Sequence, residues 1–111
     1  MPLISPSTFA ELREMSGEDL INELIDAFLD DAPRMIAAMR AGLEARDIES
    51  VRRNAHSMKS NAETFGATEL AGVAREVEAL ARAGDLNVGN RLEVLEEACR
   101  GASQELQGFR V

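Results

Sequence analysis

The sequence predicts an all-α fold, an up-down antiparallel four-helix bundle with a short extra N-terminal helix. Apolar residues recur at helical spacing along almost the whole chain, and neither an alternating run nor an Asn-Gly or Asp-Gly hairpin indicates a strand. Hydrophobic residues make up 45% of the chain and Phe, present four times, is the only aromatic type, so aliphatic side chains must form the core. The helical segments are joined by short links, which favours antiparallel neighbours.

The N-terminal part predicts a lead-in followed by a short helix. Residues 1–6 include two prolines and are expected to be irregular. Ser7 or Thr8 is the expected cap of a helix that runs through Met15 and ends at Gly17.

A longer helix is predicted to open at Glu18, where acidic residues in the first turn suit the positive end of the helix dipole. Pro33 interrupts its pattern, so either the helix kinks there or a new helix starts with the proline in its first turn. The pattern stops near Asp47. The expected buried face of the first part consists of Leu20, Ile21, Leu24, Ile25, Phe28 and Leu29.

Three later segments complete the predicted bundle. The first covers residues 48–65 and ends at Gly66, a residue that tolerates the left-handed conformation past a helix end. The next covers residues 68–84, and the last covers residues 88–108 with a steady 4-3 apolar spacing. Residues 84–87 are expected to form a loop.

Charge and composition exclude several classes of protein. The net charge is −8, which is the wrong sign for a nucleic-acid partner or an anionic membrane surface. No apolar run approaches a membrane-spanning length, and the N-terminus lacks the pattern of a signal peptide. The single cysteine, Cys99, excludes an internal disulfide framework and lies on an apolar stripe, where it is expected to be a core residue. We therefore expect one domain over residues 1–111, in the cytoplasm.

His56 is the single histidine of the chain, and its position is informative. By helical periodicity it points more than about 120° away from the apolar stripe of residues 48–65, towards solvent. Lys59 and Ser60 lie one turn after it and Arg52 one turn before it, on the same surface. From spacing alone, His56 is either a polar residue on a solvated face or a nucleophile in a basic patch suited to phosphoryl transfer.

The stretch of residues 54–70 resembles the histidine-containing phosphotransfer (HPt) domain. The family signature is His, two residues, Lys, a small residue, then Gly about ten positions after the His, followed by Ala-x-x-Leu. Residues 28–33 and 78–86 match as well, and the resemblance extends over about residues 10–107. The signature positions here are His56, Lys59, Ser60, Gly66, Ala67 and Leu70.

The resemblance implies a role for each site residue. His56 would be the phosphoacceptor and would attack through Nε2, while Lys59 would steady the charged group. Gly66 would close its helix and allow the following helix to pack tightly. Glu78 would approach the other imidazole nitrogen and fix the tautomer. Ser60 stands where many relatives have Gly, and its hydroxyl could bond to the phosphoryl oxygens.

The resemblance also implies what this chain and its partner domains would each contribute to phosphoryl transfer. The chain would relay a phosphoryl group between receiver-domain aspartates of a two-component phosphorelay, as a carrier rather than an enzyme. Its partners would be response-regulator receiver domains and a hybrid sensor kinase, and the protein would be a monomer. It has no Gly-rich phosphate loop for ATP and would need no cofactor of its own. Mg²⁺ would be contributed by the receiver domain.

A helical bundle also serves other functions. A di-metal bundle needs two Glu-x-x-His pairs, whereas this chain has one histidine, preceded three residues earlier by Arg53. A phosphorylation-independent bundle that binds a kinase or a response regulator stays open as the alternative function. Phe9 and Leu12 are candidates for an apolar docking surface near His56, or else they cap the open end of the bundle.

Overall fold

Four helices and no strand make up the described part of the chain, which comprises residues 3–85 and 88–110 of a computed structural model. The all-helical prediction is confirmed. Residues 1–2 of the predicted lead-in and residues 86–87 of the predicted loop lie outside the described residues. The helices are α1 (Pro6–Glu44), α2 (Ile48–Phe65), α3 (Thr68–Arg82) and α4 (Val88–Phe109).

The start of α1 differs from the prediction. The N-cap is Ser5, whose hydroxyl accepts a hydrogen bond from the backbone N–H of Thr8 at 3.4 Å. Capping by Ser7 or Thr8 was therefore wrong, and the lead-in is shorter than predicted. Pro6 begins the helix because its fixed φ suits the first turn, where its missing N–H has no intrahelical partner to lose.

A break at Gly17 divides α1. This glycine has φ 80° and ψ 165°, a conformation that only a residue without Cβ adopts readily, whereas the flanking residues are helical. After Gly17 the helix continues through Pro33 to Glu44, so the interpretation in which a new helix starts at Pro33 is wrong.

The prediction that Leu20 lies on the buried face of α1 was also wrong, because this side chain is 45% exposed. Ile21, Ile25 and Phe28 form the fully or almost fully buried stripe instead. Leu20 is rotated by about 100° from Ile21, which places it at the edge of that stripe.

The helices form a closed ring in which α1 and α3 each pack against both α2 and α4. Along the α1–α4 boundary, Arg40 pairs with Glu96 while Asp26 pairs with Arg110, so these helices run in opposite directions. Short links join each helix to the next, which makes sequential neighbours antiparallel as well.

The core is aliphatic and receives side chains from all four helices. Met58 is fully buried, and Cys99 is buried as predicted, so that desolvation raises the pKa of its thiol. No helix in residues 3–85 and 88–110 is both long and apolar enough to cross a bilayer. The largest fully buried side chains include Ile4, Ile21, Ile25, Met39, Met58, Leu70, Leu92, Leu95 and Leu106.

The N-terminal segment closes one end of the bundle. The carboxylate of Glu105 on α4 accepts hydrogen bonds from the backbone N–H groups of Leu3 and Ile4, at 2.8 and 3.0 Å. The Ser5 N–H donates to the carbonyl of Gly66 at 2.8 Å. These bonds hold the fully buried Ile4 against the end of the bundle.

Phe9 belongs to the same closure. Its ring is buried and stacks on Phe109, with ring centroids 4.5 Å apart. Leu12 is partly buried and packs against the core. Phe9 is therefore a capping residue, and the prediction that it could dock a partner was wrong.

Candidate functional site

Helix α2 presents His56 on its exposed face. The helix begins after Asp47, whose carboxylate accepts the Ser50 N–H at 3.2 Å. Its buried stripe lies on the opposite side, and the His56 side chain is 55% exposed. The 3.6-residue period of the helix thus separates an anchored face from one that a partner can reach. The buried stripe consists of Val51, Ala55, Met58, Ala62 and Phe65.

The imidazole of His56 is held from one side by Glu78 on α3. The ring Nδ1 lies 2.9 Å from Glu78 Oε2. An ionised carboxylate can only accept a hydrogen bond, so Nδ1 carries the proton and donates it. In this tautomer Nε2 has a free lone pair, on the ring edge that faces away from Glu78.

Glu78 is a buried carboxylate with three donors. The carboxylate is 6% exposed; Lys59 Nζ lies 3.0 Å from Oε1, and an Arg82 guanidinium nitrogen lies 3.0 Å from Oε2, which also accepts from His56. The hydrogen bond from Lys59 is the largest cause that lowers the pKa of Glu78; His56 adds to it, and burial opposes it. The carboxylate is therefore ionised at neutral pH.

The structure brings three of the five predicted site residues into this cluster. His56, Lys59 and Glu78 are joined by hydrogen bonds. Ser60 lies one turn beyond His56 on the exposed face, and its carbonyl accepts from the hydroxyl of Thr64 at 3.1 Å.

Gly66 ends α2 in the left-handed conformation, with φ 77° and ψ 25°. A Cβ at this position would lie 2.7 Å from Thr8 Cβ, closer than real Cβ atoms come to such a neighbour. The close approach is therefore to the start of α1, whereas the prediction concerned the following helix. Gly66 is needed here both for its backbone conformation and for the space that it leaves.

Sequence reasoning missed Arg82, the third partner of Glu78. Its one signal is its position four residues after Glu78 on the same helix, where opposite charges meet. The same spacing links the exposed side chains of Asp30 and Arg34, so the spacing alone does not distinguish a site. Arg52, predicted to be part of a basic patch, pairs with Glu49, with Nε 3.0 Å from a carboxylate oxygen.

Charge is unevenly divided over the bundle. Helices α2 and α3 together carry five acidic and five basic residues, so the entire net charge of −8 lies on the rest of the chain. In residues 3–85 and 88–110, no three His, Cys, Asp or Glu side chains are grouped closely enough to hold a metal ion. The two helices that carry the cluster are thus neutral in sum, in an otherwise acidic protein.

Comparisons with known proteins agree with this geometry. The family model of the Hpt domain matches residues 23–108. The chain is similar to the crystal structure of histidine-containing phosphotransfer protein B (HptB) from Pseudomonas aeruginosa PAO1, with a TM-score of 0.92 and 30% identity over 98% of this chain and 95% of that one. A search of curated proteins gives no match. The chain therefore belongs to the Hpt domain family, the histidine-containing phosphotransfer domains that act as phosphoryl carriers in phosphorelays.

Proposed function

We propose that this protein receives a phosphoryl group on Nε2 of His56 from a receiver-domain aspartate and passes it to another. The observation that carries the proposal is the 2.9 Å hydrogen bond between Nδ1 of a half-exposed imidazole and a buried carboxylate. This bond selects the tautomer in which Nε2 is the nucleophile. It also holds the ring in one orientation, which reduces the entropy lost on reaching the transition state.

The transfer step needs little chemistry from the carrier itself. The Nε2 lone pair attacks the phosphorus of the phosphoaspartate, the P–O bond to that aspartate breaks, and its electron pair stays on the aspartate carboxylate. Positive charge that develops on the imidazole spreads to Nδ1–H, where Glu78 accepts the hydrogen bond. Transfer to the next receiver reverses these steps, and the electron pair of the N–P bond returns to Nε2.

The neighbouring residues would support the charge and the approach. Lys59 is the cation one turn from His56 and would offset the negative charge spread over the phosphoryl oxygens. Ser60 is small enough to leave access to the ring, and its hydroxyl can donate to a phosphoryl oxygen. Gly66 would act at a distance, by fixing the end of the helix that carries His56.

The proposal extends to the setting in which the carrier works. Its partners would be response-regulator receiver domains and a hybrid sensor kinase, and the receiver would contribute the Mg²⁺ ion. The chain would act in the cytoplasm as a monomer with one domain. The segment of α1 before Gly17 would serve as a short extra N-terminal helix that closes the bundle, an assignment supported by the Phe9–Phe109 stack.

The test is phosphoryl uptake from a phosphorylated receiver domain in the presence of Mg²⁺. We expect an acid-labile, base-stable label on the wild-type chain and none on His56→Gln, with equal helicity of both proteins by circular dichroism. Label retained on His56→Gln would contradict the assignment. Absence of label from several receivers that nevertheless bind the chain would favour the phosphorylation-independent interaction module.

A further inference from the structure

Glu78 binds the same cations that a phosphoryl group on His56 would need. Among residues 3–85 and 88–110, Glu78 is the one charged residue that is buried. Its two carboxylate oxygens accept hydrogen bonds from three side chains. Lys59 and Arg82 are both engaged in this way while His56 carries no phosphoryl group. The two cations are thus committed before the phosphoryl group arrives.

Glu78 and its two cationic partners, Lys59 and Arg82, differ in how freely their side chains can move. The Glu78 carboxylate is 6% exposed and anchored between α2 and α3, whereas the Lys59 and Arg82 side chains are 22% and 66% exposed. Long, partly exposed side chains can turn towards a new anion, but a buried carboxylate cannot follow them into solvent. A phosphoryl group carries nearly two negative charges and would draw these cations away from Glu78.

Withdrawal of either cation leaves a buried carboxylate with less compensation, which is energetically unfavourable. The phosphoryl group would also lie across the imidazole ring from that negative charge, because Glu78 is hydrogen-bonded to the ring that would carry it. Both effects raise the free energy of the phosphorylated state, and they outweigh the opposite effect of the Glu78 hydrogen bond, which stabilises positive charge on the ring.

We propose that Glu78 is a positioning residue that limits the lifetime of phosphohistidine 56 by competing with the phosphoryl group for Lys59 and Arg82. This inference rests on the proposed function. It adds that the unphosphorylated site itself sets how readily the phosphoryl group leaves His56. When the N–P bond breaks, its electron pair returns to Nε2, the phosphoryl group leaves to a receiver carboxylate or to water, and the two cations return to Glu78.

The expected size of the effect follows from Coulomb's law. Two unit charges about 6 Å apart, at effective dielectric constants of about 20 to 80, change an equilibrium constant by roughly 3- to 100-fold. Glu78→Gln removes the charge and keeps an oxygen that can accept the Nδ1–H hydrogen bond. It therefore separates the effect of charge from that of orientation.

The experiment measures the half-life of the isolated phosphoprotein and its equilibrium constant for exchange with a receiver domain. In Glu78→Gln we expect a longer half-life and an equilibrium shifted towards the phosphorylated carrier, by roughly 3- to 100-fold. Glu76→Gln is the matched control, because it removes one charge from the same helix at an exposed residue that pairs with Arg91. We expect it to leave both quantities unchanged.

A second variant keeps the inference testable if Glu78→Gln folds poorly. Arg82→Gln removes one of the competing cations from an exposed position, and we expect a shorter half-life in it. An unchanged or shorter half-life in folded Glu78→Gln, or an unchanged half-life in Arg82→Gln, would overturn the inference. Failure of the wild type to accept any label would instead contradict the proposed function.

Discussion

The α2–α3 face and the α1–α4 face of the bundle are built differently. Between α1 and α4 lies a groove of about 480 Å³ with an apolar floor that includes Leu29 and Pro33, bordered by the exposed Arg40–Glu96 pair. On the α2–α3 face, Glu78 collects three donors beside an exposed imidazole. This groove therefore does not mark the candidate site; the convergence of charge on a nucleophile marks it.

The ion pairs of the two faces also differ in what they do. Arg40 and Glu96 are each about half exposed, and solvent screens such a pair, which contributes from about 0 to 1 kcal/mol. Glu78 is nearly inaccessible and needs its donors to remain ionised without a large cost. The ion pair between α1 and α4 lies at the solvated surface, whereas the buried carboxylate between α2 and α3 holds the imidazole of His56.

The largest loss of stability is expected from a substitution at the end of α2. Gly66→Ala places a Cβ 2.7 Å from Thr8 Cβ in a left-handed conformation, and we expect it to lower the free energy of unfolding by about 2–4 kcal/mol. The matched control is Gly84→Ala, which has a similar φ of +70° but no atom within 4 Å, so we expect a loss of about 1 kcal/mol.

Urea denaturation of the two glycine variants would measure both values. Equal losses would show that the close contact between α2 and the start of α1 contributes nothing beyond the backbone conformation. A loss in Gly66→Ala about twice that in Gly84→Ala or more would assign the difference to that contact.

The next largest loss of stability is expected when the ion pairs of the two faces are removed in turn. Glu78→Ala leaves Lys59 without its partner and creates a small void, so we expect a loss of about 1–3 kcal/mol in the free energy of unfolding. Glu96→Ala removes an exposed partner of Arg40, and we expect a loss of at most about 0.5 kcal/mol. Chemical denaturation at neutral pH measures both, and similar losses would contradict the distinction between the faces.

The smallest effect is the pH dependence of the Glu78 contribution. Folding lowers the pKa of this carboxyl from its ordinary value of 4.5, so the unfolded chain binds the proton first on acidification. The stability that Glu78 contributes is therefore fully present above about pH 4.5 and is lost as the pH falls through the lower folded value. Denaturation of the wild type and Glu78→Gln from pH 7 to pH 3 should show the difference between them declining in that window, and a difference that grows on acidification would refute it.

Particular residues show how far the sequence leads. The bounds of α2 and the outward position of His56 follow from helical periodicity, which acts within one helix and needs no knowledge of its neighbours. The Ser5 cap was missed because the proline after it was taken as part of the lead-in. The burial of Phe9 could not be decided, since its partner Phe109 lies at the other end of the chain.

The sequence by itself determined the all-helical fold, the buried face in the first part of the long helix except at Leu20, and the exposure of His56. These properties depend on residues three or four positions apart, whose relative directions are set by the helix itself. Only the tertiary structure decided that Lys59 and Arg82 meet on Glu78, and that Glu105 holds the backbone of Leu3 and Ile4. Such contacts depend on how helices pack around the shared core, and the local pattern of any one helix does not contain that information.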